Sequence, residues 1–179
     1  MLFLSRVFDG ITDPVIGFIS DRVKTRWGRR KPFVLIGLPI YILGIWLLWI
    51  PPIEFGEVTW FGISFNIGYP YLLLVLMIMY IGATIKDVPY SAWGAELATD
   101  YNERTLVMSW KEAFTVAGSL IGALTPAMLV FWGYTKPTDN VYFLTIAIAI
   151  IMPILVLNML VSVPEYPVSY THLTLPTKA

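Results

Sequence analysis

Long apolar stretches alternate with short polar connectors along the whole chain, and this pattern predicts a bundle of membrane-spanning helices. A span needs about 20 mostly apolar residues, and five stretches of the 179-residue sequence come close to or exceed that length. They are residues 2–20, 33–50, 71–85 with a continuation to 98, 105–132 and 141–163. The predicted fold class is therefore all-α, an integral membrane helical bundle with about five transmembrane helices.

Composition agrees with a membrane location and excludes several kinds of chemistry. The chain is 57% hydrophobic and 13% charged, whereas a typical soluble domain is about 25% charged. Its net charge of zero gives no basic field for nucleic acid. There is no cysteine and one histidine, His172, which lies near the end of the chain. We therefore expect no resident metal and no cofactor, and the lipid bilayer as a partner.

The connectors differ in charge, and this difference predicts the orientation. Residues 21–32 carry six basic side chains, residues 99–104 carry Arg104, and residues 51–70 carry Glu54 and Glu57 with no base. Basic loops stay in the cytoplasm. We therefore predict a multi-pass protein of the cell (cytoplasmic) membrane in which residues 21–32 and 99–104 are cytoplasmic, and in which the N-terminus is outside.

Both ends of the sequence depart from the pattern. The first charges follow Met1 almost at once, and "MLFLSR" has neither the basic region nor the cleavage site of a signal peptide. An odd number of spans beginning outside predicts that a helix is missing before residue 1; a native five-span protein is the alternative. Residues 168–179, "VSYTHLTLPTKA", continue no helical pattern, and we interpret them as a non-native or disordered tail.

The first predicted span carries charges that a lipid-facing helix does not tolerate. Asp9 and Asp13 are four residues apart, and Arg6 precedes Asp9 by three, so all three reach one helix face. A charge at the bilayer centre costs about 2.5–3.5 kcal/mol on insertion scales, so this stripe must face protein or a water-filled cavity. Thr12 adds a hydroxyl. The stripe is either a ligand site or a buried ion-pair network between helices.

The third and fourth spans also contain charges. "GATIKDVPYSAWGAE" places Lys86 and Asp87 in an apolar helix, with Thr84 three residues before Asp87. Pro89 removes an amide and frees a carbonyl nearby. Carboxylate, hydroxyl and carbonyl oxygens are the ligands that small hard cations prefer, and clustered carboxylates also favour proton binding. Alternatively, Lys86 and Asp87 neutralise each other. Lys111, in the fourth span, is either buried or extends to the surface.

These motifs together resemble a known family of transporters. "GFISDRVKTRWGRRKP" resembles the signature loop between helices 2 and 3 of the major facilitator superfamily, and its characteristic residues are Gly17, Asp21, Arg22, Gly28, Arg29, Arg30 and Lys31. "RVFDGITDP" and "DVPYSAWGAELATDYNERT" resemble the glycoside–pentoside–hexuronide:cation symporters within it. The resemblance covers about residues 3–166. It implies that residues 1–167 are helices 2–6 of a twelve-helix transporter, part of its N-terminal half, without the first helix and the remaining half.

The resemblance also implies roles for individual residues. The cation-binding residues it implies are Asp9, Thr12, Asp13 and Thr84. The substrate-binding residues are Asp87, Lys111 and Trp93, although Trp93 is two residues from the tryptophan position of the family, where Ser91 stands. Arg6 and Lys86 would support the site through ion pairs, and the signature loop would form a gate.

The implied function is cation-coupled symport of a sugar or glycoside by alternating access, with Na⁺ or H⁺ as the coupling ion. Lys86 beside Asp87 departs from the family pattern, and its ammonium could replace Na⁺ or favour H⁺. One alternative is a carrier of a non-sugar solute or a lipid. Another is a non-transporting five-helix membrane scaffold. We do not expect an enzyme, because the carboxylates have no histidine or serine partner of a catalytic motif.

Overall fold

The described residues form five α-helices and one short β-hairpin. A computed structural model describes residues 2–23, 25–52, 56–60, 63–98 and 100–165, without the side chains of residues 2–7, 9, 58–60 and 63–65. The elements are α1 (Leu2–Arg22), α2 (Lys31–Trp49), β1 (Glu57–Trp60), β2 (Ile63–Asn66), α3 (Gly68–Glu96), α4 (Tyr101–Phe131) and α5 (Pro137–Ser162). The five predicted helices are confirmed, and the tail at 168–179 lies outside the described residues.

The hairpin is the element that hydropathy did not predict. Strands β1 and β2 pair antiparallel, with Glu57 opposite Asn66 and Trp60 opposite Ile63. They occupy the connector between α2 and α3, which is predicted only as a polar loop. The prediction was incomplete here because glycines interrupt the alternation of polar and apolar residues in this stretch. Two strands of four residues also give only a weak hydropathy pattern.

Four of the helices are long and apolar enough to cross a membrane. Within the described residues these are α2, α3, α4 and α5. Helix α1 is not among them, although its 21 residues match the length of a span. Its sequence includes Arg6, Asp9 and Asp13, so its polarity sets it apart from the other four. Because of these four apolar helices, we describe the chain as an integral membrane protein.

The tightest packing in the bundle joins α2 to α3, which run antiparallel. Gly44 lies against the backbone of Met79, and Gly82 lies against the backbone of Tyr41. Nearer the hairpin, the Tyr71 hydroxyl donates to the Leu47 carbonyl, with 2.7 Å between the oxygens. Residue numbers thus rise along α2 while they fall along α3. Small residues at these crossings let the two backbones approach closely, as is usual between membrane helices.

Replacing Gly82 with alanine is expected to loosen this contact. The added methyl would overlap the Tyr41 backbone, so the helices must separate, which costs about 1–3 kcal/mol of unfolding free energy. A methyl added to Gly118 in α4 would meet no atom within 4 Å. Gly118→Ala should therefore be neutral or stabilising by up to about 1 kcal/mol. Thermal unfolding in detergent compares the two, and equal melting temperatures would contradict the close contact.

Helices α1 and α3 run in the same direction. A methyl added to Gly17 would touch the Val88 side chain at 3.7 Å, and Asp21 and Glu96 further along bind the same arginine, Arg30. Helices α1, α3 and α5 therefore finish, and α2 and α4 begin, at one end of the bundle, which we call the basic end. The described residues of both connectors predicted to be cytoplasmic, 21–32 and 99–104, lie there.

Candidate functional site

Four parts of the chain meet in a charged cluster at the basic end, which we call the latch: the end of α1, the loop before α2, the end of α3 and the segment after α5. It consists of Asp21, Arg29, Arg30, Glu96 and Glu165. The Arg30 guanidinium donates to both Glu96 oxygens, from Nε at 3.0 Å and from Nη2 at 2.6 Å. Arg29 Nη2 donates to Glu96 at 2.7 Å, and Arg30 Nη2 lies 3.0 Å from Asp21. Arg30 is only 5% exposed, so its charge depends on these carboxylates.

Glu165 closes the latch from the end of α5. Its Oε1 accepts the backbone amides of Arg29 at 2.7 Å and Arg30 at 2.9 Å. These amides precede α2, whose N-cap residue Arg30 makes no side-chain cap bond of its own. A carboxylate suits a helix N-terminus, where unpaired amides and the helix dipole favour negative charge. Gly28 makes room for it, because its φ of 111° and a clash between a methyl and the Glu165 carboxylate both exclude a side chain.

The remaining signature-loop residues have separate contacts. Lys31 Nζ donates to the Leu160 carbonyl at 2.8 Å and lies 5.3 Å from the centre of the Trp93 ring. Arg22 is exposed, and its guanidinium lies 3.7 Å from the centre of the Phe18 ring. The ion pairs of Arg29 and Arg30 are made with Asp21 and Glu96 of this chain, and the gate stays a prediction. These contacts together fix the loop to α3 and α5.

The packing of α1 against α3 places two predicted cation ligands, one from each helix, at the same height along the bundle. Asp13 lies four residues before Gly17, and Thr84 four residues before Val88, in helices that run in parallel and touch at Gly17 and Val88. Equal steps along two α-helices give equal rises of 1.5 Å per residue, so Asp13 and Thr84 share a depth. Thr84 is 6% exposed, whereas Asp13 is exposed.

The other predicted cation-site residues are only partly described. The Thr12 hydroxyl donates to the Phe8 carbonyl at 3.1 Å. Asp9 lies on the helical backbone four residues before Asp13, but the side chains of Asp9 and Arg6 lie outside the described part. Among the described residues, no group of three or more carboxylate, histidine or cysteine side chains forms a metal site. Asp13 and Thr84 would thus supply only part of a coordination shell.

Lys86 and Asp87 form an ion pair, as the neutralisation alternative predicted. The Lys86 side chain is 11% exposed and the Asp87 side chain 56% exposed, so the pair lies at the edge of the packed helices. The Lys86 ammonium also lies 4.9 Å from the centre of the Tyr41 ring, a cation–π distance. Gly37 makes this burial possible, since a methyl there would approach the Lys86 amide nitrogen to 2.7 Å.

Two cavities flank Tyr90 of α3. The first, of about 360 Å³, lies between α2, α3 and α5, and its lining residues are Val34, Lys86, Asp87, Tyr90, Met152, Leu155, Val156 and Met159. The second, of about 250 Å³, lies between α3, α4 and α5, and its lining includes Tyr90, Trp93, Lys111, Phe114 and Met159. Asp87 therefore lines one cavity and Lys111 the other, and Tyr90 and Met159 border both.

The two other predicted substrate residues are held by neighbouring helices. Lys111 Nζ donates to the Ser91 hydroxyl at 3.1 Å and lies 5.7 Å from the centre of the Tyr90 ring, so Lys111 is directed at α3. Trp93 is 2% exposed, and its indole N–H donates to the Pro164 carbonyl at 3.3 Å. Trp93 thus joins α3 to the end of α5 and presents only part of its ring to the second cavity.

Sequence reasoning did not assign roles to Tyr90, Met159, Glu96 and Glu165. Tyr90 was detectable, because it lies one helical turn after Lys86 and therefore on the same face. Glu96 is visible as a charge near the third span, but its partners lie 66 and 67 residues away. Glu165 and Met159 carry no local signal, because only tertiary packing brings α5 against α2 and α3.

The described residues thus form a bundle of membrane helices with an ion pair inside α3 and an arginine-rich loop bound at one end. The family described as "MFS/sugar transport protein" matches residues 1–173 of the chain. The chain belongs to this family of the major facilitator superfamily, and the resemblance drawn from its motifs is confirmed.

Individual relatives point to symport. An uncharacterised symporter, sll1374, of Synechocystis is 33% identical over 69% of this chain and 22% of its own length. The sodium-dependent lysophosphatidylcholine symporter 1 of Gallus gallus is 29% identical over 81% of this chain and 26% of its own. The inner membrane symporter YicJ of Escherichia coli is 29% identical over 76% and 28%. The chain spans about a quarter of the length of these relatives, which are transporters and not enzymes.

Proposed function

We propose that this chain is part of a secondary transporter that couples the uptake of a sugar or glycoside to Na⁺ or H⁺. One observation supports the proposal: Asp13 of α1 and Thr84 of α3 share a depth in parallel helices that meet at Gly17 and Val88, and the half-exposed carboxylate of Asp87 follows Thr84 by three residues. Oxygen ligands from two parallel helices suit a small cation. In this proposal, Asp9 and Thr12 complete the cation site, and Arg6 balances its charge.

The substrate would bind beside the cation. Asp87 would accept hydrogen bonds from hydroxyl groups, Lys111 would donate them, and Tyr90 offers an aromatic surface between the two cavities. Ligands that favour each other's binding couple reciprocally, since each raises the affinity for the other by the same factor. Uphill transport of the solute would follow from the downhill gradient of the cation.

Alternating access requires a second half that rocks against this one. We propose that residues 1–167 form helices 2–6 of the N-terminal half in a cell-membrane transporter, with residues 21–32 and 99–104 in the cytoplasm. The latch would keep α2, α3 and α5 together as one rigid unit during the motion. Arg22, which is exposed and outside the latch, would remain available to the other half.

A second cargo is favoured by the walls of the cavities. Five of the eight residues that line the first cavity are the apolar side chains Val34, Met152, Leu155, Val156 and Met159. Such walls suit hydrocarbon, and the ammonium of Lys111 at the second cavity suits an anionic or zwitterionic head, whereas Lys86 is paired with Asp87. A lysophospholipid is therefore the second candidate, in line with the substrate named for the Gallus gallus relative.

A counterflow assay separates the two cargoes. The complete reading frame that contains this chain is reconstituted in vesicles preloaded with one unlabelled solute, and entry of the labelled solute is measured for a panel of glycosides, pentoses and lysophospholipids. Exchange of a glycoside or pentose supports the first candidate. Exchange of lysophospholipid alone supports the second and contradicts sugar transport.

The scaffold alternative has a simpler test. The nucleotide sequence upstream of Met1 and downstream of Pro167 should encode one further apolar helix before this chain and six after it. Stop codons or unrelated soluble sequence on both sides in the native gene would contradict the transporter proposal.

A further inference from the structure

An open groove runs along the outer surface of α2 and α5 at the basic end. It has a volume of about 330 Å³ and is lined by Trp27, Lys31, Leu35, Leu157, Leu160 and Val161. Its size is near the lower limit of about 300–1,000 Å³ found for small-molecule sites. The groove is separate from both cavities around Tyr90, and none of its lining residues has a role in the proposed transport site.

A tight turn before α2 brings Trp27 into the lining of this groove, with Arg26 next to it in the chain. Thr25 and Gly28 exchange backbone hydrogen bonds at 3.3 and 3.2 Å, and the Thr25 hydroxyl also accepts the Trp27 amide at 3.3 Å. Arg26 and Trp27 therefore form the tip of the turn. Trp27 is 70% exposed, and Arg26 is exposed with no ion pair among the described residues.

The charged side chain among the described residues that line the groove is basic. Lys31 uses one of its three donors on the Leu160 carbonyl, which leaves two for a ligand, and Arg26 offers five more. None of the lining residues is acidic. The Glu165 carboxylate binds the same loop outside the lining, where its Oε1 accepts the amides of Arg29 and Arg30. An anion in the groove would therefore meet Lys31 in the lining, Arg26 in the adjoining turn and no carboxylate in the lining itself.

The walls below these cations are apolar and open to the outside of the bundle. Leu157 is 50% exposed and Val161 86% exposed, and both lie near the end of the membrane helix α5. Tryptophan and basic side chains are typical of the boundary between hydrocarbon and headgroups. A ligand here needs an anionic head at the boundary and a hydrocarbon chain that extends along α2 and α5.

We propose that this groove binds an anionic phospholipid of the leaflet at the basic end. The phosphate and head would lie against Arg26 and Lys31, the glycerol region beside Trp27, and the upper part of one acyl chain between Leu35 and Leu157. Basic pockets between membrane helices on the cytoplasmic side are suited to such headgroups. Because Lys31 also binds Leu160, the lipid would strengthen the attachment of the signature loop to α5. The proposal does not depend on which solute is transported.

Brominated lipids test the site with the chain as it is. The purified 179-residue chain is placed in phosphatidylcholine nanodiscs with a small fraction of phosphatidylglycerol whose acyl chains carry bromine, which quenches tryptophan on contact. Quenching should exceed that by brominated phosphatidylcholine at the same fraction, and Trp27→Phe should remove the excess. Equal quenching by both lipids would show ordinary bilayer contact and overturn the proposal.

Charge variants locate the headgroup. Arg26→Gln should weaken the apparent phosphatidylglycerol affinity about 5-fold, and Arg26→Gln with Lys31→Gln about 30-fold. Arg104→Gln is the matched control, since Arg104 is an exposed arginine predicted on the same side but lies at the start of α4, whereas Arg26 adjoins the groove residue Trp27. The Arg104→Gln variant should bind phosphatidylglycerol with unchanged affinity. Arg26 makes no ion pair among the described residues, so Arg26→Gln should keep the wild-type circular dichroism spectrum. Equal affinity of Arg26→Gln and the wild type would overturn the proposal.

Discussion

Replacing Glu96 with glutamine is expected to lower the unfolding free energy by about 3 kcal/mol, the lower part of the range for breaking a buried ion pair. Glu96 binds both Arg29 and Arg30, and Arg30 is 5% exposed. The substitution keeps the shape of the side chain but leaves the buried guanidinium with Asp21 alone. Asp21 is 55% exposed, so it compensates only in part. For a chain of this size the melting temperature should fall by about 6–12 °C.

Glu103→Gln is the matched control for this prediction. Glu103 is exposed in the first turn of α4, where its charge contributes through the helix dipole by about 0.5 kcal/mol. A double-mutant cycle with Arg30→Gln then isolates the pair: the double variant should be more stable than the sum of the two single losses predicts. If Glu96→Gln and Glu103→Gln melt at the same temperature, the latch does not stabilise the bundle.

Replacing Asp13 with asparagine is expected to abolish uphill accumulation of the solute in the complete transporter. The substitution replaces the Asp13 carboxylate, the proposed cation ligand, with a neutral amide. The affinity for the cation should therefore fall by about 10- to 100-fold. Misfolding is not the expected cause, because removing a charge from a membrane helix lowers its insertion cost. Uptake is measured against Na⁺ and H⁺ gradients separately, and the apparent cation affinity is determined for the wild type and the variant.

Asp100→Asn is the control for the same chemical change. Asp100 caps α4 by accepting the Asn102 amide at 3.1 Å, and asparagine caps a helix as well as aspartate does. This variant should accumulate the solute like the wild type. Cation dependence that is identical in Asp13→Asn and the wild type would remove Asp13 from the coupling site.

Much of the fold could be predicted because a lipid environment makes hydropathy a strong signal. The predicted span 33–50 differs from α2, Lys31–Trp49, by only two residues at the start and one at the end. The hairpin of β1 and β2 was missed because strand pairing depends on contacts between two short segments. Helix α1 was also predicted from its apolar residues. Its charges set it apart from the four helices that are long and apolar enough to cross a membrane.

The candidate site could be predicted only in part. Spacing along α1 and α3 put Asp9 with Asp13, and Thr84 with Asp87, on shared helix faces, and the family resemblance supplied the roles that are proposed for them. Spacing could not show that Lys86 turns towards Tyr41 and Gly37 while it still reaches Asp87, since that depends on the shape of α2. Nor could it show that the arginines of the signature loop bind carboxylates up to 136 residues away. Long-range partners leave no spacing pattern in a single sequence.

The coupling of solute and cation is tested most directly by letting the solute drive the ion. The complete transporter is reconstituted in vesicles with equal Na⁺ and equal pH on both sides, and an inward gradient of the transported solute is imposed while the entry of Na⁺ and of H⁺ is recorded. The account predicts that one of the two ions enters with the solute in the wild type and that Asp13→Asn removes this ion movement. Solute entry at the full rate without movement of either ion would contradict it.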